Sequence, residues 1–268
     1  HVPHSDTYPS RDRRSTIRPG YVDSSAEISG SSSSSHSSAS EFENSGSQEL
    51  DEDENKNRRR IPEDIAVRLM TDFIRYALQL CLLQQDDAIE IRPRIERKRT
   101  RTKIAKNYVT CEDDGGICRF ARESLSWQPA HPYLALLEGK RAFKQFHIDW
   151  AGNSHPVVTD ETLAQYLGEA VITWHGNREL LGRDVFVIAV SNTFVRFIHF
   201  YFGADYEEYL NANDKDQRSL VDDTSKDTYV YGRFSKWFNL ETRDGRKDAL
   251  CHVLALLRWH DDYPTSVR

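Results

Sequence analysis

Glu138 and Lys140 stand two residues apart near the end of the run Tyr133-Leu134-Ala135-Leu136-Leu137-Glu138-Gly139-Lys140-Arg141-Ala142-Phe143. A carboxylate holds a hard divalent cation through oxygen. An ammonium beside it orients or deprotonates a water, or steadies charge on a transferring phosphate. Together, at the rim of a buried strand, they are suited to metal-dependent hydrolysis of a phosphodiester. The same two residues also make an ordinary ion pair at a strand end, worth about 1 kcal/mol or less when exposed. The elements around the pair must therefore decide its meaning.

The apolar run is short, led by a proline and closed by charges, the pattern of a strand buried on both faces. Side chains alternate along a strand, so Glu138 and Lys140 point to the same side. Upstream, Tyr108 to Phe120 reads as a hairpin with Asp114-Gly115 as its turn. That turn places Asp113 opposite Gly116 and Cys111 opposite Cys118. A second antiparallel connection centred near Gln128 and Pro129 then sets residues 116–119 opposite 138–141. In this register Asp113 and Asp114 lie at the same end of the sheet as Glu138 and Lys140, and either could be the second carboxylate of a metal site.

A helix is expected from Ile61 to about Gln85. Pro62, Glu63 and Asp64 suit its first turn, and Ile65, Leu69, Phe73, Ala77 and Cys81 form its apolar stripe. Glu63 has dipole compensation as its first role and reach toward a metal as its second. Thr159 caps another helix, with Asp160 and Glu161 in its first turn and Leu163, Tyr166, Leu167, Ala170, Val171 and Trp174 inward, ending at His175-Gly176. Gln165 lies off the centre of that face and reads as solvent-facing rather than aimed at the strand. Residues 184–190 and 194–202 are buried strands. The second carries Arg196 among apolar neighbours, positioned to enter a groove, and His199 as a core or edge histidine. Residues 204–228 read as a short helix and loop, 228–231 as a further strand, and 245–259 as a helix with Ala249, Val253, Leu256 and Leu257 inward.

The net charge of −6 provides no overall attraction to nucleic acid, yet positive charge is concentrated in one place. Arg92, Arg94, Arg97, Lys98, Arg99, Arg101, Lys103 and Lys106 crowd beside the candidate site. Arg97, Lys98, Arg99, Arg101 and Lys103 are the residues expected to hold a phosphate backbone, without reading sequence. The alternative is a solvated charged face. The four cysteines lack metal-type spacing, which excludes a zinc ribbon and a disulfide scaffold. No stretch of about 18 apolar residues is present to span a membrane. Residues 1–60 hold sixteen serines, including Ser31 to Ser35, and too little apolar surface to offset chain entropy. They read as a disordered tail before one ordered domain, 61–268. The tail ends in Glu49 to Glu54 and Arg58-Arg59-Arg60, a solvated linker or a docking or nuclear-import signal. The expected location is intracellular, with the nucleus open.

The order helix, strands, Glu-x-Lys strand, helix, strand resembles the common core of the PD-(D/E)XK nuclease superfamily. Leu136-Leu137-Glu138-Gly139-Lys140-Arg141-Ala142 is similar to the nuclease-like domains of this type found in filamentous fungi. The resemblance implies an α/β fold with a mixed sheet flanked by helices, a restriction-endonuclease-like core. It implies Glu138 and Lys140 as the catalytic pair, Asp113 or Asp114 as the preceding aspartate, and Gln165 as a helix glutamine found in some members. Mg²⁺ would be the cofactor and nucleic acid the partner. No proline precedes the aspartate, a departure from the family pattern. Two functions follow: a metal-dependent nuclease, or a catalytically silent module that binds nucleic acid or protein.

Overall fold

The computed structural model describes residues 48–81, 88–123, 126–140, 145–148 and 154–262. The Ser-rich segment up to residue 47 lies outside the described residues. In chain order the elements are α1 (Gln48–Cys81), β1 (Ile89–Arg94), β2 (Lys98–Ile104), β3 (Asn107–Asp113), β4 (Gly116–Glu123), β5 (Ser126–Lys140), β6 (Gln145–Ile148), β7 (Ser154–Val157), α2 (Asp160–Leu181), β8 (Asp184–Ser191), β9 (Phe194–Phe202), α3 (Tyr206–Asn211), α4 (Asp214–Asp222), β10 (Val230–Phe234), β11 (Phe238–Asn239) and α5 (Arg243–Asp262).

The architecture is α/β, with a mixed sheet in the order β1-β4-β5-β8-β9-β10 and β11 attached to β9. β5 and β8 run parallel, which requires a crossover, and α2 lies on it. The other pairs in this sheet are antiparallel. α1 and α5 cover one face: Met70, Ile74, Val253 and Leu257 pack with Leu137, Ile188, Val190 and Val195. α2 covers the other, where Tyr166, Ala170 and Trp174 pack with Leu136, Val187, Ala189 and Ile198. Leu136 and Leu137 thus enter opposite cores. Alternation then sends Glu138 and Lys140 toward α2 and Gly139 toward α1.

Several expectations are corrected. α1 begins at Gln48, so the charged end of the expected tail is helical and Pro62 falls inside the helix. The buried stripe of α1 is Ala66, Met70, Ile74, Ala77 and Leu78, whereas Ile65 and Leu69 are 64% and 39% exposed. Adjacent i, i+4 rows are both apolar there, and contact with the sheet selects between them.

The Asp114-Gly115 hairpin does not form. β3 pairs with β2 from Lys98↔Asp113 to Ile104↔Asn107, making a separate ribbon, while β4 pairs with β1 and β5. A turn dipeptide specifies a change of direction, not the strand that will be met afterwards. Gly115 has φ 138°, and a Cβ there would stand 2.6 Å from the Arg94 carbonyl oxygen. The glycine instead lets the chain leave the ribbon and enter the sheet. Asp113 is therefore not opposite Gly116. Cys111 and Cys118 separate, with Cys111 Sγ 3.9 Å from the Glu169 carbonyl and Cys118 Sγ 3.3 Å from that of Arg92.

β4 and β5 are antiparallel as expected, but Gly116 meets Leu136 and Ile117 meets Ala135, with an irregularity between Ile117 and Phe120. The shift arises because β5 already begins at Ser126, ahead of the expected turn. α2 continues past His175-Gly176 to a Gly182 cap, with non-helical geometry at Asn177. The β6–β7 hairpin was not anticipated. Among the described residues, no helix is long and apolar enough to cross a membrane.

The stripe on α1 is open to a direct check. Met70→Ala should cost about 2 to 5 kcal/mol in urea unfolding, and Leu69→Ala about 0.5 kcal/mol or less, at unchanged denaturant slope. The reverse order would place the core on the 65/69/73 row.

Candidate active site

Glu138 is fully buried, and its Oε1 accepts from Lys140 Nζ at 2.5 Å. Across the sheet Glu138 pairs with Ala189 and Lys140 with Ser191. From the facing helix come Gln165, Glu169 and Thr173, at 6%, 2% and 1% exposure. Their spacing of four residues makes a polar stripe along α2 beside its apolar one. Gln165 Nε2 donates to Glu169 Oε1 at 3.3 Å, so Gln165 faces the site rather than solvent. Glu169 is the residue that reading the sequence missed. Its signal was present, since it lies one turn beyond Gln165 on the same face.

Asp114 joins from the β3–β4 connection. Its Oδ2 accepts the Gly139 N–H at 2.9 Å, and its Oδ1 lies 3.2 Å from Arg97 Nη2. A backbone pair, Asp114 N to Leu137 O and Leu137 N to Gly115 O, clamps the connection onto β5. Gly139 has no room for a side chain, because a Cβ would approach Val67 Cγ2 to 2.5 Å. At this glycine β5 is packed closely against α1, with Asp114 Oδ2 on the same side, 3.3 Å from where a Cβ would stand.

The carboxyls of Asp114, Glu138 and Glu169 lie within electrostatic reach of one another, and Lys140, paired with Glu138, lies within reach of all three. Burial pushes the Glu138 carboxyl well above the usual carboxylate range, and Glu169 adds to the rise by repulsion and by standing close enough to share a proton. Burial likewise pushes Glu169 up to about 8. Burial opposes charge on Lys140, yet Glu138, Glu169 and Asp114 hold its pKa above the ordinary lysine value, so it remains an ammonium. Glu138 Oε2, the Tyr166 hydroxyl and Ser191 Oγ are buried, and none has a hydrogen-bond partner among the described residues. Buried polar atoms are seldom left in that state. Also among the described residues, no three His, Cys, Asp or Glu side chains form a ready-made metal cage.

Asp113 has a different environment from Asp114. Both its oxygens accept from Arg94 at 2.8 Å, and Oδ1 also accepts from the Lys98 and Gly115 N–H groups. Arg94 also donates to the Gly115 carbonyl at 2.8 Å. This pair is committed to joining β1, the ribbon and the glycine kink. The structure brings Asp114, Glu138, Lys140 and Gln165 together, and holds Asp113 beside them in the Arg94 pair.

The basic run is sorted by the ribbon. Arg97 bonds Asp64 and Asp114, and Lys98 Nζ sits 4.4 Å from the centre of the Tyr133 ring. Alternation turns Thr100 and Thr102 toward α2, where they meet the Tyr133 hydroxyl and His175. Arg99, Arg101 and Lys103 take the opposite, exposed face, with Arg101 over the exposed Tyr108 ring. Comparisons with protein-family models, with curated proteins and with solved structures return no match.

The raised carboxyl values make a pH prediction. Folded Glu169 keeps a proton that the unfolded chain, with its ordinary value of 4.5, has already released. Its contribution to stability is complete below the unfolded value and is lost as pH rises through about 8. Metal-free protein should lose thermal stability between about pH 5 and about pH 8.5, and Glu169→Gln should flatten that loss. Parallel melting curves for the two proteins would contradict a shared buried proton.

Proposed function

We propose that this chain is a divalent-cation-dependent phosphodiesterase acting on nucleic acid, built on a restriction-endonuclease-like core of the PD-(D/E)XK type. The observation that carries the reading is Glu138, a fully buried carboxyl with one oxygen on Lys140 and the other without a donor among the described residues, within electrostatic reach of Glu169 and Asp114. A buried cluster with excess negative charge calls for a proton or a cation. Mg²⁺ commonly takes one or two protein carboxylates and leaves its other positions to water and substrate phosphate, so a full cage is not required. Glu138 and Glu169 would hold the ion, with the charge of Asp114 close by. Mg²⁺ there would acidify a bound water and stabilise charge on the phosphate.

The chain's own groups have separable roles. Lys140, held as an ammonium, supplies a positive charge and N–H donors to the phosphate or the attacking water; it does not serve as the base. Ser191, in the same cross-strand row as Lys140, and Tyr166 contribute hydroxyls with hydrogen-bonding capacity to spare. The exposed face of the ribbon, with Arg99, Arg101 and Lys103, provides backbone attraction that is independent of sequence.

A second reading is favoured by the enclosure of the site. Glu138 and Glu169 are sealed, the Lys140 contact is short, and Asp114 has a structural use. Those features suit a nuclease-like module that binds nucleic acid or a protein without cutting. Metal titration by calorimetry, run beside cleavage of plasmid and single-stranded DNA and RNA, separates the two.

The nuclease reading expects binding of Mg²⁺ and Mn²⁺ and cleavage with either. Affinity should rise from about pH 6 to about pH 8, because the ion must displace the shared proton. Glu138→Gln should abolish metal binding, while Lys140→Ala should keep it and lower turnover. Well-folded protein that neither binds metal nor cleaves would leave the silent module. For the ribbon, alanine at Arg99, Arg101 and Lys103 should reduce the slope of log affinity against log salt by about 0.7 to 0.9 per lost contact. An unchanged slope would make the face merely solvated.

A further inference from the structure

Arg196 is half-buried on β9 and stands opposite Ala189, which stands opposite Glu138. Paired residues share a face of the sheet, so Glu138, Ala189 and Arg196 form one row on the side covered by α2. Two strand spacings place the ends of that row about 10 Å apart. The Tyr166 side chain lies within electrostatic reach of Glu138, Glu169 and Arg196, which puts it between them.

The guanidinium carbon lies 5.1 Å from the centre of the Phe234 ring and 5.7 Å from that of Trp237. Nε donates to the Ser235 carbonyl at 2.7 Å, which orients the planar group. Among the described residues no carboxylate pairs with Arg196, and burial pushes its pKa down. A partly desolvated cation without a counter-ion is costly, and cation–π contact offsets only part of that cost. Fastening the turn does not require it either. Ser235 N already donates to Phe197 O at 2.9 Å, and Phe197 N to Ser235 Oγ at 3.0 Å.

We propose that Arg196 is an anion-binding residue on the same face of the sheet as Glu138 and Lys140, holding a second phosphodiester of the strand bound there. The inference rests on the nucleic-acid reading above and names the form of its substrate. A planar fork held by its Nε is suited to bidentate contact with phosphate oxygens. Phe234, 40% exposed beside it, presents a ring on which an unpaired base can stack, so the strand is single at this point.

The test is fluorescence anisotropy of the full chain with a labelled, mixed-sequence single-stranded oligonucleotide. Ca²⁺ replaces Mg²⁺ so that binding is read apart from cleavage. Arg196→Met should weaken binding about tenfold and lower the salt slope by about 0.7. Arg196→Lys should keep the slope but recover only part of the affinity, because the fork is lost. Phe234→Ala should weaken single-stranded binding more than duplex binding. If wild-type protein binds and Arg196→Met matches it in affinity and slope, the proposal is overturned and the nuclease reading stands. If Arg196→Met does not fold, wild-type affinity in Arg196→Lys overturns it equally. Wild-type protein that binds no oligonucleotide and cleaves none removes both readings.

Discussion

The contact between Glu138 and Lys140, made within β5 at 2.5 Å on the face that α2 covers, is the constraint around which the molecule is arranged. A carboxylate cannot be taken from water without a partner, and Lys140 is too little to balance three. The rest of the neighbourhood answers that shortage. The Gly139 N–H satisfies Asp114, the Gln165 amide satisfies Glu169, and burial with mutual repulsion raises the proton affinity of Glu138 beside Glu169. Among the described residues Glu138 Oε2 meets no donor.

Positioning of that cluster depends on a second buried pair. Arg94 and Asp113 join with two 2.8 Å bonds, and Arg94 also takes the Gly115 carbonyl. The end of the ribbon, the edge strand β1 and the glycine kink therefore move as one unit. Asp114 follows immediately in the chain and inherits its place from this unit. The two adjacent aspartates are chemically alike but not interchangeable: one fixes the frame and the other enters the cluster. The same unit aims the ribbon along α2, so that its threonines pack inward and Arg99, Arg101 and Lys103 face out.

Much of the fold was legible in the residues themselves. The buried strands at Tyr133, Asp184 and Phe194, the Thr159 cap with its acidic first turn, and the inward face of α5 are local patterns with local causes, and they appear as read. The same-side placement of Glu138 and Lys140 follows from strand alternation alone. Other features were not legible. On α1, two neighbouring rows were both apolar, and only the sheet could choose Met70 over Leu69. Glu169 was not singled out, because burying a carboxylate is unfavourable until a lysine and a second acid are known to meet it.

By itself, then, the sequence determined the type of most elements, the end of the strand at which chemistry could occur, and the acid and amine available there. These depend on interactions within a few residues, where propensity, capping and alternation act. Only the tertiary structure decided that β3 pairs with β2 rather than β4, that Arg94 claims Asp113 and leaves Asp114 to the cluster, that Gln165 turns inward with Glu169, and that Arg196 shares a row with Glu138. Each of those outcomes is a choice among distant partners of similar local merit. The choice is made by desolvation, since a buried charge must find its complement wherever in the chain that complement lies.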